Sequence, residues 1–372
     1  MISSAAVNDW ERFYRMSQTA SFFQSPEWSR VWEIHTGGLY RPEPLQARLP
    51  SGKHVLLPLT RQRLRGGIGS IWHAAPAGTY GGWLCEPGSE LTNEETHLLL
   101  RSLFDRCGSL IFRPFPLSPC SVPLAMNSYD KSGSTLAGIN QREWKAPSGV
   151  SVRPDRTWLL DCSDGFRAIM DRWSEGNAEM ARKIKKAEDS GIIIRKARNE
   201  QDIETYYRLY IEAARRWNPP PAHVYPLSFI RLLAGDESKN GEATEKAGTG
   251  PAIGGSMEMW IAEYNGSVVA GSILLTGKNH ASYWHGVLDP DYGKMRPVNL
   301  MGAAVIRASC EQGVHWFDFN PSMGLHGVER FKKSFGTKPA PCPVYAKTSG
   351  FVQATRVLGR LLRRVSRRED SQ

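Results

Sequence analysis

No stretch of this 372-residue chain approaches the ~18 consecutive apolar residues of a membrane-spanning helix, and its first ten residues lack the apolar centre of a secretory signal. The protein is therefore expected to stay in the compartment where it is made, the cytoplasm. The sequence also lacks a CxxC pair. Its six cysteines (Cys85, Cys107, Cys120, Cys162, Cys310 and Cys342) stand singly, without the spaced histidines of a zinc site. They read as reduced, mostly buried thiols, and no metal is expected. There is no HxxE-type metal helix, no GxSxG elbow and no phosphate or dinucleotide loop. Arg65-Gly66-Gly67-Ile68-Gly69 is glycine-rich but lacks a following Lys-Ser/Thr. These absences argue against a zinc or serine hydrolase, a P-loop NTPase and a dinucleotide-dependent oxidoreductase.

Acid is in deficit. Lys and Arg number 47 against 37 Asp and Glu, a net charge of +10, which suits a polyanionic partner. The excess concentrates at the end, where residues 346–372 carry seven basic side chains against Glu369 and Asp370. With 41% hydrophobic and 23% charged residues the composition is that of a folded globular protein. At roughly 100–200 residues per domain the length suits two domains.

The second half has the clearer periodicity. Phe166, Ile169, Met170 and Trp173 recur at helical spacing behind Ser163 and Asp164, and a basic helix over about 175–190 stops at Gly191. A short buried strand at 192–194 follows, then a helix capped by Asn199. Residues 234–256 are polar and glycine-rich, the signature of a mobile insertion. Strands at 258–264 and 267–276 flank Asn265-Gly266, a strong hairpin signal. A strand at 281–287, a helix at 298–312, a strand at 314–319, a short helix at 328–335 and a strand near 343–346 complete the order. The first half echoes it: paired segments at 45–49 and 54–60, a helix from Thr92 to Cys107 ending at Gly108, and a strand at 109–113. We therefore expect two copies of one α+β fold.

Several groups could carry chemistry. Arg182, Lys185 and Lys186 share a helix face and could neutralise phosphate, or simply be solvated beside Glu188 and Asp189. Phe331 and Phe335, four residues apart, would anchor a short helix and leave Lys332 on a rigid mount, where an amine can hold a phosphate, stabilise a developing oxyanion or simply be a surface lysine. In a strand through Tyr283-Trp284-His285, Tyr283 and His285 fall on the same side, and a histidine there can serve as base or as a structural group. The segment from Tyr292 to Asn299 precedes a helix, but Pro297 removes a donor, so it makes a poor pyrophosphate cradle. From Phe351 to Arg368, apolar residues alternate with arginines at helical spacing, a pattern suited to an anionic membrane surface or to packing on the first domain.

The runs Arg182-Lys183-Ile184-Lys185-Lys186-Ala187-Glu188, Asn299-Leu300-Met301, Gly313-Val314-His315-Trp316-Phe317-Asp318-Phe319 and Phe331-Lys332-Lys333-Ser334-Phe335-Gly336 resemble the FemAB-related, GNAT-like acyltransferases. Phe22-Phe23-Gln24-Ser25-Pro26-Glu27-Trp28 and Tyr80-Gly81-Gly82 fit the first half of that family. The likeness spans about 20–345, and its Phe-Lys-x-x-Phe-Gly ending is the most specific part.

The resemblance implies two tandem GNAT-like domains, at 1–162 and 163–345 with the insertion 234–256, followed by a basic amphipathic tail at 346–372. It implies acyl transfer to an amine of a cell-envelope precursor, peptidoglycan or polysaccharide. The donor would be an aminoacyl-tRNA, as in the Fem branch, or an acyl-CoA. It also implies catalytic roles for Phe331 and Lys332, with His285 as candidate base. Arg182, Lys186 and Tyr283 would be substrate contacts, and the C-terminal tail would return to the first domain; on the membrane reading of its own pattern, 351–368 would instead touch the inner membrane face. An acetyl-CoA-dependent N-acetyltransferase on an amino sugar or small amine is the alternative enzyme. A catalytically inactive module binding RNA or anionic lipid is the alternative of another class.

Overall fold

A computed structural model describes residues 2–64, 69–118, 146–175, 178–217, 223–235, 255–322 and 324–352. The chain divides into two units, one of residues 1–17, 23–155 and 342–372, the other of 18–22 and 156–341. Cys120, most of the insertion and most of the 351–368 segment lie outside the described residues.

The first unit opens with β1 (Ile2–Ser4), α1 (Val7–Met16) and α2 (Pro26–His35). Two broken strands come next. β2 (Tyr40–Pro42) and β3 (Leu45–Arg48) are interrupted at Glu43 and Pro44, and β4 (His54–Leu57) and β5 (Thr60–Arg63) at Pro58 and Leu59. Proline cannot donate to a ladder, which is why each strand breaks there. Then come β6 (Ser70–His73), β7 (Leu84–Cys85), α3 (Asn93–Cys107), β8 (Leu110–Phe112) and β9 (Ser151–Arg153). α3 begins with a capping box between Thr92 and Glu95 and stops at Gly108, as its sequence predicts.

The second unit comprises β10 (Arg156–Asp161), α4 (Gly165–Glu175), α5 (Ala178–Asp189), β11 (Ile193–Lys196), α6 (Glu200–Arg216) and α7 (Leu227–Leu233), then β12 (Ser256–Tyr264), β13 (Ser267–Thr276), β14 (His280–Leu288), α8 (Pro297–Glu311), β15 (Trp316–Asp318), α9 (His326–Lys333) and β16 (Lys338–Pro341). Asn199 caps α6 through its side chain. Asn265 and Gly266 both have positive φ, the conformation that a two-residue hairpin turn requires. The strand expected to be buried at 192–194 is an edge: among the described residues β11 pairs with β12 alone, and Ile193 is 62% exposed while Ile192 is buried.

The two units share one layout. In each, an edge strand pairs antiparallel with the second strand (β1 with β3, β11 with β12). A hairpin and a third strand come after it, and a helix crosses over to a strand parallel to the third (β8 beside β6, β15 beside β14). The last position in the pattern is filled crosswise. β17 (Val344–Lys347) lies between β8 and β9 in the first unit, and β10 lies between β15 and β16 in the second. Thus the units meet in sequence at 155/156, where the sequence reading places 162/163. The strand expected near 343–346 as the end of the second domain lies in the first unit.

Candidate active site

Where β14 and β15 separate, the second unit gathers a cluster of buried polar groups, among them Thr157, His280, Ser282, Asp318 and Lys332. The two strands pair in parallel through His280–Trp316, Ala281–Phe317 and Ser282–Asp318, and then part. Asp318 is fully buried. One of its carboxylate oxygens accepts from the Thr157 hydroxyl and, at 2.7 Å, from the Asn320 backbone N–H; the other lies 3.3 Å from His280 Nε2. Asn320 has φ +60°, a left-handed conformation that asparagine tolerates because it can bond its own neighbourhood. Its Nδ2 donates to Tyr283 O at 2.9 Å, and its Oδ1 accepts from Ser282 Oγ at 3.0 Å.

Lys332 reaches the same point from α9. It is 6% exposed, and Nζ donates to Asn320 O at 2.6 Å and to Pro321 O at 3.1 Å. Phe331 packs on Phe319 and Phe335, with ring centroids 6.1 and 5.1 Å away, so the pair of aromatics mounts the helix as its spacing suggests. The lysine leaves that mount toward backbone carbonyls.

Tyr283 and His285 do not share a face. Leu274 stands opposite Tyr283 while Ile273 stands opposite His285, so Trp284 is an added residue in a β-bulge that reverses the alternation. Tyr283 faces the core formed with Met301, Phe317 and Phe335, where burial pushes its hydroxyl up to about 12. His285 faces α6. Its Nδ1 lies 2.5 Å from the Tyr206 hydroxyl, and its ring stands edge-on to Tyr210 at 4.4 Å, with Trp217 and Trp284 at 6.0 and 5.8 Å. Desolvation in this aromatic surround lowers its pKa to about 4. It is a neutral imidazole at physiological pH, poorly matched to general-base work there.

Arg182 and Lys186 lie on the exposed side of α5, whose other side buries Met180, Ile184 and Ala187. Their neighbours are neutralised within the helix: Lys183 pairs with Glu179 at 2.7 Å and Lys185 with Asp189 at 3.5 Å. Among the described residues no ion pair engages Arg182 or Lys186, and no hydrogen bond joins either to Lys332, His285 or Tyr283. The polar groups that sequence reasoning missed are Asn320, Asp318, His280 and Ser282. A carboxylate between two phenylalanines, followed by Asn-Pro, was their signal.

The start of α8 offers little to a diphosphate. Pro297 has no N–H, and the Asn299 and Leu300 amides donate to Arg296 O at 3.0 and 3.4 Å, leaving the Val298 amide. These residues do not fit a coenzyme-A pyrophosphate. Among the described residues no cluster of three or more His, Cys, Asp or Glu could hold a metal ion. None of their helices is long and apolar enough to cross a membrane.

The first unit treats the equivalent position differently. β6 and β8 pair through Trp72–Leu110 and His73–Ile111, and Gly81 then takes the place β6 vacates. Its N–H donates to Arg113 O at 2.8 Å, and its carbonyl accepts from Phe115 N at 2.9 Å. A Cβ on Gly81 would stand 2.3 Å from Ala74 O, so only glycine fits. The split between these strands is closed by backbone.

Residues 174–333 match the family model of the acetyltransferase (GNAT) domain. Among solved structures the chain is similar to one described as FemX, with a TM-score of 0.62 and 10% identity over 96% of this chain and 99% of that one. It is similar to the C-terminal domain of a putative lysylphosphatidylglycerol synthetase from Agrobacterium fabrum, with a TM-score of 0.51 and 10% identity over 96% and 98% of the two chains. A conserved protein of unknown function from Bacteroides thetaiotaomicron gives a TM-score of 0.52 and 12% identity over 93% and 99%. At these identities the likeness is one of fold. No curated protein matches. The chain shares the FemAB/GNAT-like fold of these structures, and residues 174–333 of its second unit resemble the acetyltransferase (GNAT) domain.

Proposed function

We propose that the protein transfers an acyl group to an amine of a cell-envelope precursor, forming an amide at the β14–β15 split. The observation that carries this reading is the coincidence of the GNAT match over 174–333 with the one split of the two that no backbone segment closes among the described residues. The structures described as FemX and as a lysylphosphatidylglycerol synthetase domain support an envelope acceptor, peptidoglycan-type or lipid-type.

In this reaction the acceptor nitrogen attacks the donor carbonyl carbon, the C–N bond forms, and the donor's oxygen or sulfur leaves with the electron pair. The nitrogen sheds its proton to solvent or to the substrate, because His285 is a weak base in its aromatic setting. Lys332 keeps the loop at Asn320 and Pro321 in place. Arg182 and Lys186, which no ion pair engages among the described residues, supply cations for a phosphate of either substrate. The poor pyrophosphate fit at α8 favours an aminoacyl ester on tRNA over an acyl-CoA as donor.

Titration calorimetry with acetyl-CoA, run beside binding of aminoacyl-tRNA and of uncharged tRNA, tests the donor. We expect preference for the charged tRNA. Micromolar coenzyme binding without tRNA preference would instead make the protein an acetyl-CoA-dependent N-acetyltransferase. Silence from both, with salt-sensitive binding of RNA or anionic vesicles, would leave a non-catalytic binding module.

A further inference from the structure

We propose that Asn320 is the positioning residue that fixes the width of the β14–β15 split, with Lys332 as its anchor. The consequence for catalysis rests on the reading that acyl transfer occurs there. When two parallel strands part, each leaves a row of backbone groups without a ladder partner, and nothing in the ladder then sets how far they separate. Asn320 meets that need with every polar group it has. Its side-chain amide donates to Tyr283 O, the first carbonyl of β14 beyond the pairing, at 2.9 Å. Its side-chain oxygen accepts from Ser282 Oγ, on the last paired residue, at 3.0 Å. Its backbone N–H is held by buried Asp318 and its carbonyl by Lys332.

The left-handed backbone makes this possible, because it turns the chain out of β15 within one residue and swings the side chain back across the gap to β14. The clamp therefore ties β15 to β14 at their point of divergence, and Lys332 ties the clamp to α9. Asp318 is itself fixed by Thr157 of β10, so the arrangement is braced from both neighbouring strands. A reacting carbonyl placed in the split would feel a change in its width of a few tenths of an ångström, since acyl transfer depends on near-attack geometry.

The test uses the full chain and three variants. Asn320→Gly keeps the left-handed backbone and deletes both side-chain bonds. Asn320→Asp keeps the shape and the acceptor but loses the donor to Tyr283. Asn320→Ala adds backbone strain as a folding control. Hydrogen exchange followed by mass spectrometry reads peptides covering 281–289 and 316–322, and steady-state kinetics with the donor and amine that support wild-type turnover reads kcat and KM separately.

We expect folded Asn320→Gly to exchange at least tenfold faster in both segments and to lose at least tenfold in kcat with KM changed less than threefold. Asn320→Asp should lie between Asn320→Gly and wild type. Unchanged exchange would overturn the clamp. Faster exchange with unchanged kcat would overturn the positioning role and leave a structural one. Wild-type inertness toward every donor would overturn the acyl-transfer reading and the catalytic consequence with it, while the exchange comparison still decides whether the clamp exists.

Discussion

Replacing Lys332 with methionine separates two roles for its amine. The side chain is 6% exposed, and Nζ bonds two backbone carbonyls at 2.6 and 3.1 Å. Methionine retains most of the stem and adapts to its packing, so the change removes the charge and the bonds to Asn320 O and Pro321 O. A hydrogen bond to a charged group contributes roughly 1.5–3 kcal/mol, and part of that returns because the ammonium no longer has to be desolvated. The expected net loss is about 2 kcal/mol, which for a unit of this size lowers Tm by about 4–8 °C. Tryptophan fluorescence during thermal unfolding is a suitable assay, because buried Trp173 donates Nε1–H to Phe335 O at 2.9 Å, just past α9. Turnover should fall as well. An amine that served only the reacting carbonyl would cost activity and spare stability, as the sequence alone suggests. A Lys332→Met chain with wild-type Tm would refute the brace.

The geometry sets three further outcomes. The His285 pKa falls from 6.5 to about 4 on folding, so between those values the unfolded chain binds the extra proton. Stability is then full above pH 6.5 and declines by up to about 1.4 kcal/mol per pH unit as pH drops toward 4, and His285→Gln should flatten that slope in urea titrations. Gly81→Ala sets a Cβ against a backbone oxygen and should cost about 1–3 kcal/mol, read as a lowered midpoint of the first unit's unfolding. A chain ending at Pro341 lacks β17 and the buried Tyr345, opening the first unit's sheet between β8 and β9. It should lose that unit's cooperative transition in calorimetry while Trp173 stays protected from quencher.

Local signals carried much of the fold. The Asn265-Gly266 turn, the Thr92–Glu95 box, the Asn199 cap and the i, i+4 pair Phe331 and Phe335 were each legible because they are settled within a few residues. The features that stayed hidden depend on partners far along the chain. β10 and β16 are short and pair with each other across about 180 residues, and β17 is no different in composition from a terminal strand of the second unit. The period-two reading put Tyr283 and His285 on one face, and one bulged residue on β14 undid it. The Phe331 and Phe335 spacing singles out Lys332, but the carbonyls of Asn320 and Pro321 that it reaches have no sequence signature.

The two units differ in the path the chain takes after the third strand. Beyond β6 it makes a short turn at Pro76–Gly78 and returns through Gly81 to bond the edge that β6 leaves, before β7 joins β4. Beyond β14 the side chain of Asp289 caps a short helical stretch, Pro290–Met295, and the left-handed Arg296 leads directly into α8, so the chain does not come back to the split. Backbone closes one split, with Gly81 bonding Arg113 and Phe115. Side chains from Asn320 and Lys332 meet the exposed groups of the other, and side chains can satisfy a strand edge at its point of divergence without filling the space beyond it. On the proposed reading, the same layout serves as scaffold in one unit and as reaction site in the other, with the distinction made by a returning glycine in the first and a left-handed asparagine in the second.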